Sequence, residues 1–183
     1  MTDKRLLRAE LRAARDAFVA EHSGAIAPPA PYLALLRPGL TIASYVPIGS
    51  EADPALLVAA AIDSGCALAL PHVVSREQPL RFLEWHPTHP LDDGPFGLRQ
   101  PQAMRRETVP DIILTPLVGF DAILNRLGQG AGHYDRAFAA HPEAQRIGVA
   151  WSVQHVAALT PDPWDVPLHA IITESGWIER DNE

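Results

Sequence analysis

Residues 125–135, Asn-Arg-Leu-Gly-Gln-Gly-Ala-Gly-His-Tyr-Asp, constrain the fold more than any other stretch of the chain. They follow an apolar run, residues 111–118, that reads as a buried strand, and they lead into a helix expected over residues 134–140. Strand, glycine loop and helix in that order form the unit of an α/β domain. Gly128, Gly130 and Gly132 alternate. No packed helix or strand needs that spacing, but a loop whose backbone approaches a ligand closely does. Exposed N–H groups in such a loop and at the next helix start make an anion site. Arg126 adds a cation for phosphate, and Asp135 adds a ligand for Mg²⁺. A tight turn with incidental charges is the competing reading. The glycines run G-x-G-x-G, so neither the P-loop nor the dinucleotide fingerprint is present.

The rest of the chain supplies more alternation. An amphipathic helix is expected over residues 3–20, with Thr2 as N-cap and Leu7, Leu11, Ala14 and Phe18 on its apolar face. Arg5, Arg8, Arg12 and Arg15 form a second stripe, read by default as a solvated basic face. The sharper reading has the helix deliver Lys4 and Arg8 to a phosphate site. Strands are expected at residues 41–45, 67–70, 80–85, 146–150 and 170–173, with Asp53-Pro54 opening a helix that ends near Gly65. Residues 86–110, rich in Pro, Gly and charge, read as a long functional or mobile loop. The expected fold is a three-layer α/β domain with a mostly parallel sheet, residues 1–183 forming one unit.

Composition narrows the function classes. At 47% hydrophobic and 20% charged, the chain is globular rather than disordered. It has no apolar run of about 18 residues, so no membrane span is expected. The net charge of −7 disfavours nucleic acid as partner. One cysteine, Cys66, reads as a small core residue, and with no apolar leader at the N-terminus a cytoplasmic location is expected. His86 and His89 lack a third ligand nearby, which argues against zinc.

Several motifs, in order and spacing, resemble the 5-formyltetrahydrofolate cyclo-ligase family. They are Lys4-Arg5-x-x-Arg8, Tyr45-x-Pro47-x-x-x-Glu51, Arg81-Phe82-x-x-Trp85 and Gly94-x-Phe96-Gly97-Leu98-x-x-Pro101. Residues 116–121 leading into 125–136, and residues 165–174, complete the set. The resemblance implies a fold of the sugar-phosphate isomerase and CoA transferase kind. It also implies an ATP- and Mg²⁺-dependent reaction that turns 5-formyltetrahydrofolate into 5,10-methenyltetrahydrofolate, with ADP and phosphate released, in a protein expected to be monomeric. In that reaction ATP phosphorylates the formyl oxygen, and N10 of the folate then closes on the activated carbon.

By the same resemblance, Lys4, Arg5, Arg8 and Arg126 contact ATP, with Gly128, Gln129, Gly130, Ala131, Gly132, His133 and Tyr134 completing the cradle. Arg126, His133 and Tyr134 take catalytic roles. Asp135 and Asp165 match the magnesium positions, Glu51 matches the acid that binds the pterin, and Val46, Trp85, Phe96 and Gly97 are expected to line the folate pocket. The chain departs from the family loop at Gln129, Ala131 and His133, and His169 stands where many members carry a second acid. Ala131 is compatible with the loop only if its φ is negative. These departures support an alternative, a relative that binds ATP or folate without turnover.

Overall fold

The computed structural model describes residues 3–22 and 24–180. A seven-stranded sheet runs through it in the order β11-β10-β9-β6-β1-β2-β3. The strands are β1 (Thr41–Ala43), β2 (Ala67–His72), β3 (Arg81–Glu84), β6 (Ile112–Pro116), β9 (Gln145–Val149), β10 (Ala170–Thr173) and β11 (Gly176–Glu179). The five central strands pair in parallel, and the edges β3 and β11 are antiparallel. Their parallel core is apolar on both faces, as a doubly covered sheet requires. Ile42, Ile112, Leu114 and Ile172 point into one core with α2 (Ala30–Leu35) and α3 (Ala55–Asp63). Ala43, Ile113 and Ile171, one residue out of phase, point into a second core with α4 (His133–Ala140). The expected three layers and mostly parallel sheet are therefore present.

The long helix α1 (Lys4–Glu21) carries Leu11 into a third small cluster and lays Phe18 against the first core. Its N-cap is Asp3, whose side chain accepts from the Arg5 N–H. Thr2, expected in that place, lies outside the described residues. In α3 the N-cap is Pro54 rather than Asp53, so the proline expected in the first turn stands just before it, and Asp53 accepts from the Ala55 N–H at 2.9 Å from one residue further out.

Six short elements were not expected. The supposed loop of residues 86–110 contains a hairpin, β4 (Leu91–Asp93) with β5 (Arg99–Pro101), and a 3-10 turn, Pro95–Gly97. A second hairpin, β7 (Gly119–Phe120) with β8 (Arg126–Leu127), stands between β6 and the glycine loop. Strand β11 follows β10 through a tight turn. All are two to four residues long, too short for a period to show in the sequence. Among the described residues, no helix is long and apolar enough to cross a membrane.

Candidate active site

The connections leaving β1 and β6 run in opposite directions along the sheet, one toward β2 and the other toward β9. Such a switch point opens a crevice at the carboxyl ends of the two strands. A cleft of about 920 Å³ lies there, with Tyr45 and Val46 after β1 and Pro116 at the end of β6 on its wall. One face of α1, the loops after β1 and β6, residues 71–80 from the end of β2, and residues 98–99 and 162–165 supply the remaining walls.

Lys4, Arg8, Arg12 and Arg15 all line this cleft. Their spacing of four, four and three residues keeps them on one helix face, so the solvated-face reading fails for them. Arg5 is exposed and outside the cleft. It stands about 100° round the helix from Lys4, at the first turn, and its side chain has no hydrogen-bond partner among the described residues. Arg12 stands nearly as far round but bonds the Gln129 side chain.

Glycine-loop geometry follows from two left-handed residues, Gly130 at φ +102° and Gly132 at φ +68°. Gly132 is the N-cap of α4, and a side chain at either position would be strained. Ala131 is not among the residues with positive φ, which meets the condition its Cβ imposes. The turn of the loop presents the Gly128 carbonyl to Arg8 Nε at 2.7 Å. Gln129 Nε2 donates to Glu51 Oε1 at 3.2 Å, so Gln129 bridges α1 and the β1–α3 connection. Glu51 also accepts from the Ile48 N–H at 3.1 Å.

Below the loop, Arg126 is 5% exposed and forks between the Val166 carbonyl, 2.7 Å, and Asp135 Oδ1, 2.6 Å. Its guanidinium carbon lies 4.7 Å from the centre of the Phe138 ring. Lys4 Nζ is held by Asp162 Oδ2 at 2.7 Å and Asp165 Oδ2 at 3.3 Å. Burial alone would lower the pKa of this ammonium, but its bonds and charge attraction with the two aspartates raise it. Asp162 went unnoticed in the sequence; it is reached only because the proline-flanked loop of residues 161–167 folds back on α1.

The two residues that open α4 both face the cleft. Burial, with Glu51 nearby, pushes the Tyr134 phenol far above its ordinary value, Arg126 opposing the shift, so it stays protonated. Its hydroxyl has no hydrogen-bond partner among the described residues. His133 Nδ1 lies 3.3 Å from Arg136 Nη2, which makes Nδ1 the acceptor and leaves the proton on Nε2. Burial first, then Arg136 and Arg76, hold its pKa below the imidazole norm. The ring is therefore neutral at pH 7.

Val46 and Glu51 line the cleft, whereas Trp85 and Gly97 do not. Strand β3 runs antiparallel to β2, so its carboxyl end lies at the amino ends of the parallel strands, away from the crevice. Trp85 accordingly packs on the first core, and Leu80, before β3, lines the cleft in its place. Gly97 is exposed at a turn, and its neighbours Leu98 and Arg99 reach the cleft instead. The side chain of Phe96 lies outside the described residues.

Among the described residues, no group of three or more His, Cys, Asp or Glu is arranged to hold a metal. Asp135 and Asp165 are nevertheless neighbours, since the Val166 N–H points to Asp135 Oδ1 at 3.4 Å. Asp135 Oδ2 and Asp165 Oδ1 have no hydrogen-bond partner among the described residues. Two hard carboxylate oxygens beside the glycine loop fit magnesium, which takes one or two carboxylates and completes its shell with phosphate and water.

Fold and cleft together define an α/β domain with a small-molecule site at its switch point. Residues 1–174 match the model of the 5-formyltetrahydrofolate cyclo-ligase family, and the chain belongs to that family. It is 34% identical over 143 residues to the 5-formyltetrahydrofolate cyclo-ligase of Escherichia coli K12, an alignment covering 74% of this chain and 78% of that one. The solved 5,10-methenyltetrahydrofolate synthetase of Aquifex aeolicus superposes with a TM-score of 0.71 at 26% identity, covering 98% of this chain and 94% of that one. That of Mycoplasma pneumoniae gives 0.68 at 26% identity, covering 94% and 99%.

Proposed function

We propose that this protein is an ATP-dependent ligase that converts 5-formyltetrahydrofolate to 5,10-methenyltetrahydrofolate, releasing ADP and phosphate. The observation that carries the reading is Gln129. It joins the glycine loop to Glu51, so a phosphate cradle and a carboxylate able to take a pterin's amide edge share one cleft. Transfer of a phosphoryl group to a formyl oxygen needs that adjacency.

A formamide carbonyl is a poor electrophile. Its oxygen attacks the γ-phosphorus of ATP, the bond to ADP breaks, and the formyl carbon is left activated. N10 then attacks that carbon and gives up its proton, and phosphate departs with the carbon–oxygen electron pair. Catalysis of this kind is mainly positioning and charge stabilisation. Arg8, Arg126 and the N–H groups of residues 128–132 hold the phosphates. The protonated Tyr134 phenol, which feels the charges of both Glu51 and Arg126, donates to a non-bridging oxygen of the phosphoryl group in transfer. Asp135 and Asp165 would hold the magnesium ion, which would supply charge neutralisation at the phosphates.

The direct test mixes purified protein with 5-formyltetrahydrofolate, ATP and Mg²⁺ and follows the absorbance of the methenyl product. Product should appear only with ATP. Glu51→Ala should lower kcat/KM about 10- to 100-fold, the scale of one hydrogen bond to a charged group. Absence of product with ATP still bound would sink the reading.

His133→Tyr should keep or raise turnover, because the histidine is already neutral at pH 7 and a phenol offers the same flat ring and donor. A base with a lowered pKa gains its proton only at pH below about 6.5. The pH–rate profiles of wild type and variant should therefore have the same shape above that pH and part in shape only below it. Complete loss of activity would mean that the histidine serves a different chemistry.

A further inference from the structure

Three of the four cations on the cleft face of α1 are engaged: Lys4 by two aspartates, Arg8 by the Gly128 carbonyl, and Arg12 by Gln129. The fourth, Arg15, is the most enclosed, at 6% exposure. Its Nε donates to Ser50 Oγ at 2.9 Å. The Ser50 hydroxyl in turn donates to Asp16, so the serine is fully committed and fixes the guanidinium plane. Neither terminal nitrogen of Arg15 has a hydrogen-bond partner among the described residues, and Nη1 is shut off from solvent. A buried guanidinium edge with nothing to donate to is costly. Where such a group lines a ligand cleft, the ligand is the natural acceptor.

The chemistry of that acceptor follows from position. Helix α1 rises about 1.5 Å per residue, which places Arg15 about 16 Å along the cleft from Lys4. The Lys4 end carries the aspartates and lies beyond the glycine loop. The Arg15 end is tied to Ser50, the immediate neighbour of Glu51. Resting on the reading of Glu51 as the acid that accepts from the pterin, we infer that Arg15 donates to the pterin's 4-oxo group and is a specificity-determining residue for it. A pterin edge presents the 2-amino group and N3–H as donors, followed by O4 as an acceptor. A carboxylate beside a guanidinium reads that order, whereas a 4-amino ring has an acceptor N3 where the carboxylate needs a donor and a donor where the guanidinium needs an acceptor, so it opposes both.

The test measures dissociation constants by calorimetry, without ATP, for 5-formyltetrahydrofolate and its 4-amino counterpart. Wild type should prefer the 4-oxo ligand. Arg15→Gln should weaken the 4-oxo ligand about 10- to 100-fold and the 4-amino ligand by no more than about threefold, leaving ATP affinity unchanged, and Arg15→Lys should keep part of the preference. Glu51→Gln should weaken the 4-oxo ligand, which offers the carboxylate two donors, so loss of that effect sinks the Glu51 reading and this inference with it. Equal losses on both ligands in Arg15→Gln, with Glu51→Gln behaving as expected, would overturn the Arg15 assignment alone. A third ligand, 5-formyltetrahydropterin without the aminobenzoylglutamate tail, separates the sources of an acceptor. If Arg15→Gln leaves its binding untouched, the tail carboxylate is the partner and the 4-oxo assignment falls.

Discussion

Arg126→Ala should lower kcat by about 10³ or more, the scale of removing an arginine that stabilises a phosphoryl transfer, and should also cost about 3 kcal/mol of stability. The two losses have separate causes. Arg126 is 5% exposed and Asp135 19%, with Nη2 and Oδ1 2.6 Å apart. Removing the guanidinium therefore leaves a largely buried carboxylate without its partner. The same truncation frees the Val166 carbonyl and empties the space over the Phe138 ring. Arg126→Lys separates the effects. A lysine keeps the charge but cannot fork to Val166 and Asp135 together, so most of the stability should return while kcat stays about 10-fold or more below wild type. Thermal unfolding and single-turnover kinetics on both variants give the comparison. A kcat for Arg126→Lys equal to wild type would mean that only charge matters there, and a normal Arg126→Ala would remove Arg126 from the site.

The alternating pattern was legible because both faces of the central sheet are buried, which makes strands such as Ile112–Pro116 apolar runs, broken there only by Thr115, flanked by helix signals. The glycine loop was legible because only glycine relieves φ values like those of Gly130 and Gly132. What escaped depended on direction and reach. Nothing local to Trp85 tells that β3 runs antiparallel to β2 and carries the indole away from the crevice. Arg5 and Arg12 belong to the same stripe in sequence, and only the arrival of Gln129 from 117 residues away distinguishes them. Asp162 and Arg15 escaped for the same reason: each acquires its meaning from a partner, Lys4 or Ser50, that is remote in the chain.

Lys4→Met should give the second large effect, and its two halves run in opposite directions. In the present structure Lys4 neutralises Asp162 and Asp165, while Arg126 neutralises Asp135. The acids proposed for magnesium and the cations proposed for phosphate thus satisfy one another. The ammonium and a divalent cation compete for Asp165, so a metal ion offered alone has to displace Lys4. When nucleotide arrives with the metal, Lys4 can turn to phosphate as Asp165 is taken up, and Asp162, bonded to Nζ at 2.7 Å, keeps it close. Removing the ammonium should tighten binding of Mn²⁺ alone by about 5- to 10-fold, the scale of one partly exposed charge pair. It should also weaken ATP and lower kcat by about 100-fold, since a cation placed on transition-state charge is worth several kcal/mol. Calorimetry with Mn²⁺, first without and then with ATP, reads both halves. Unchanged Mn²⁺ affinity in the absence of nucleotide would show that Lys4 does not guard Asp165, whatever happens to turnover. Tighter metal with undiminished turnover would show that it guards the site but takes no part in the transfer.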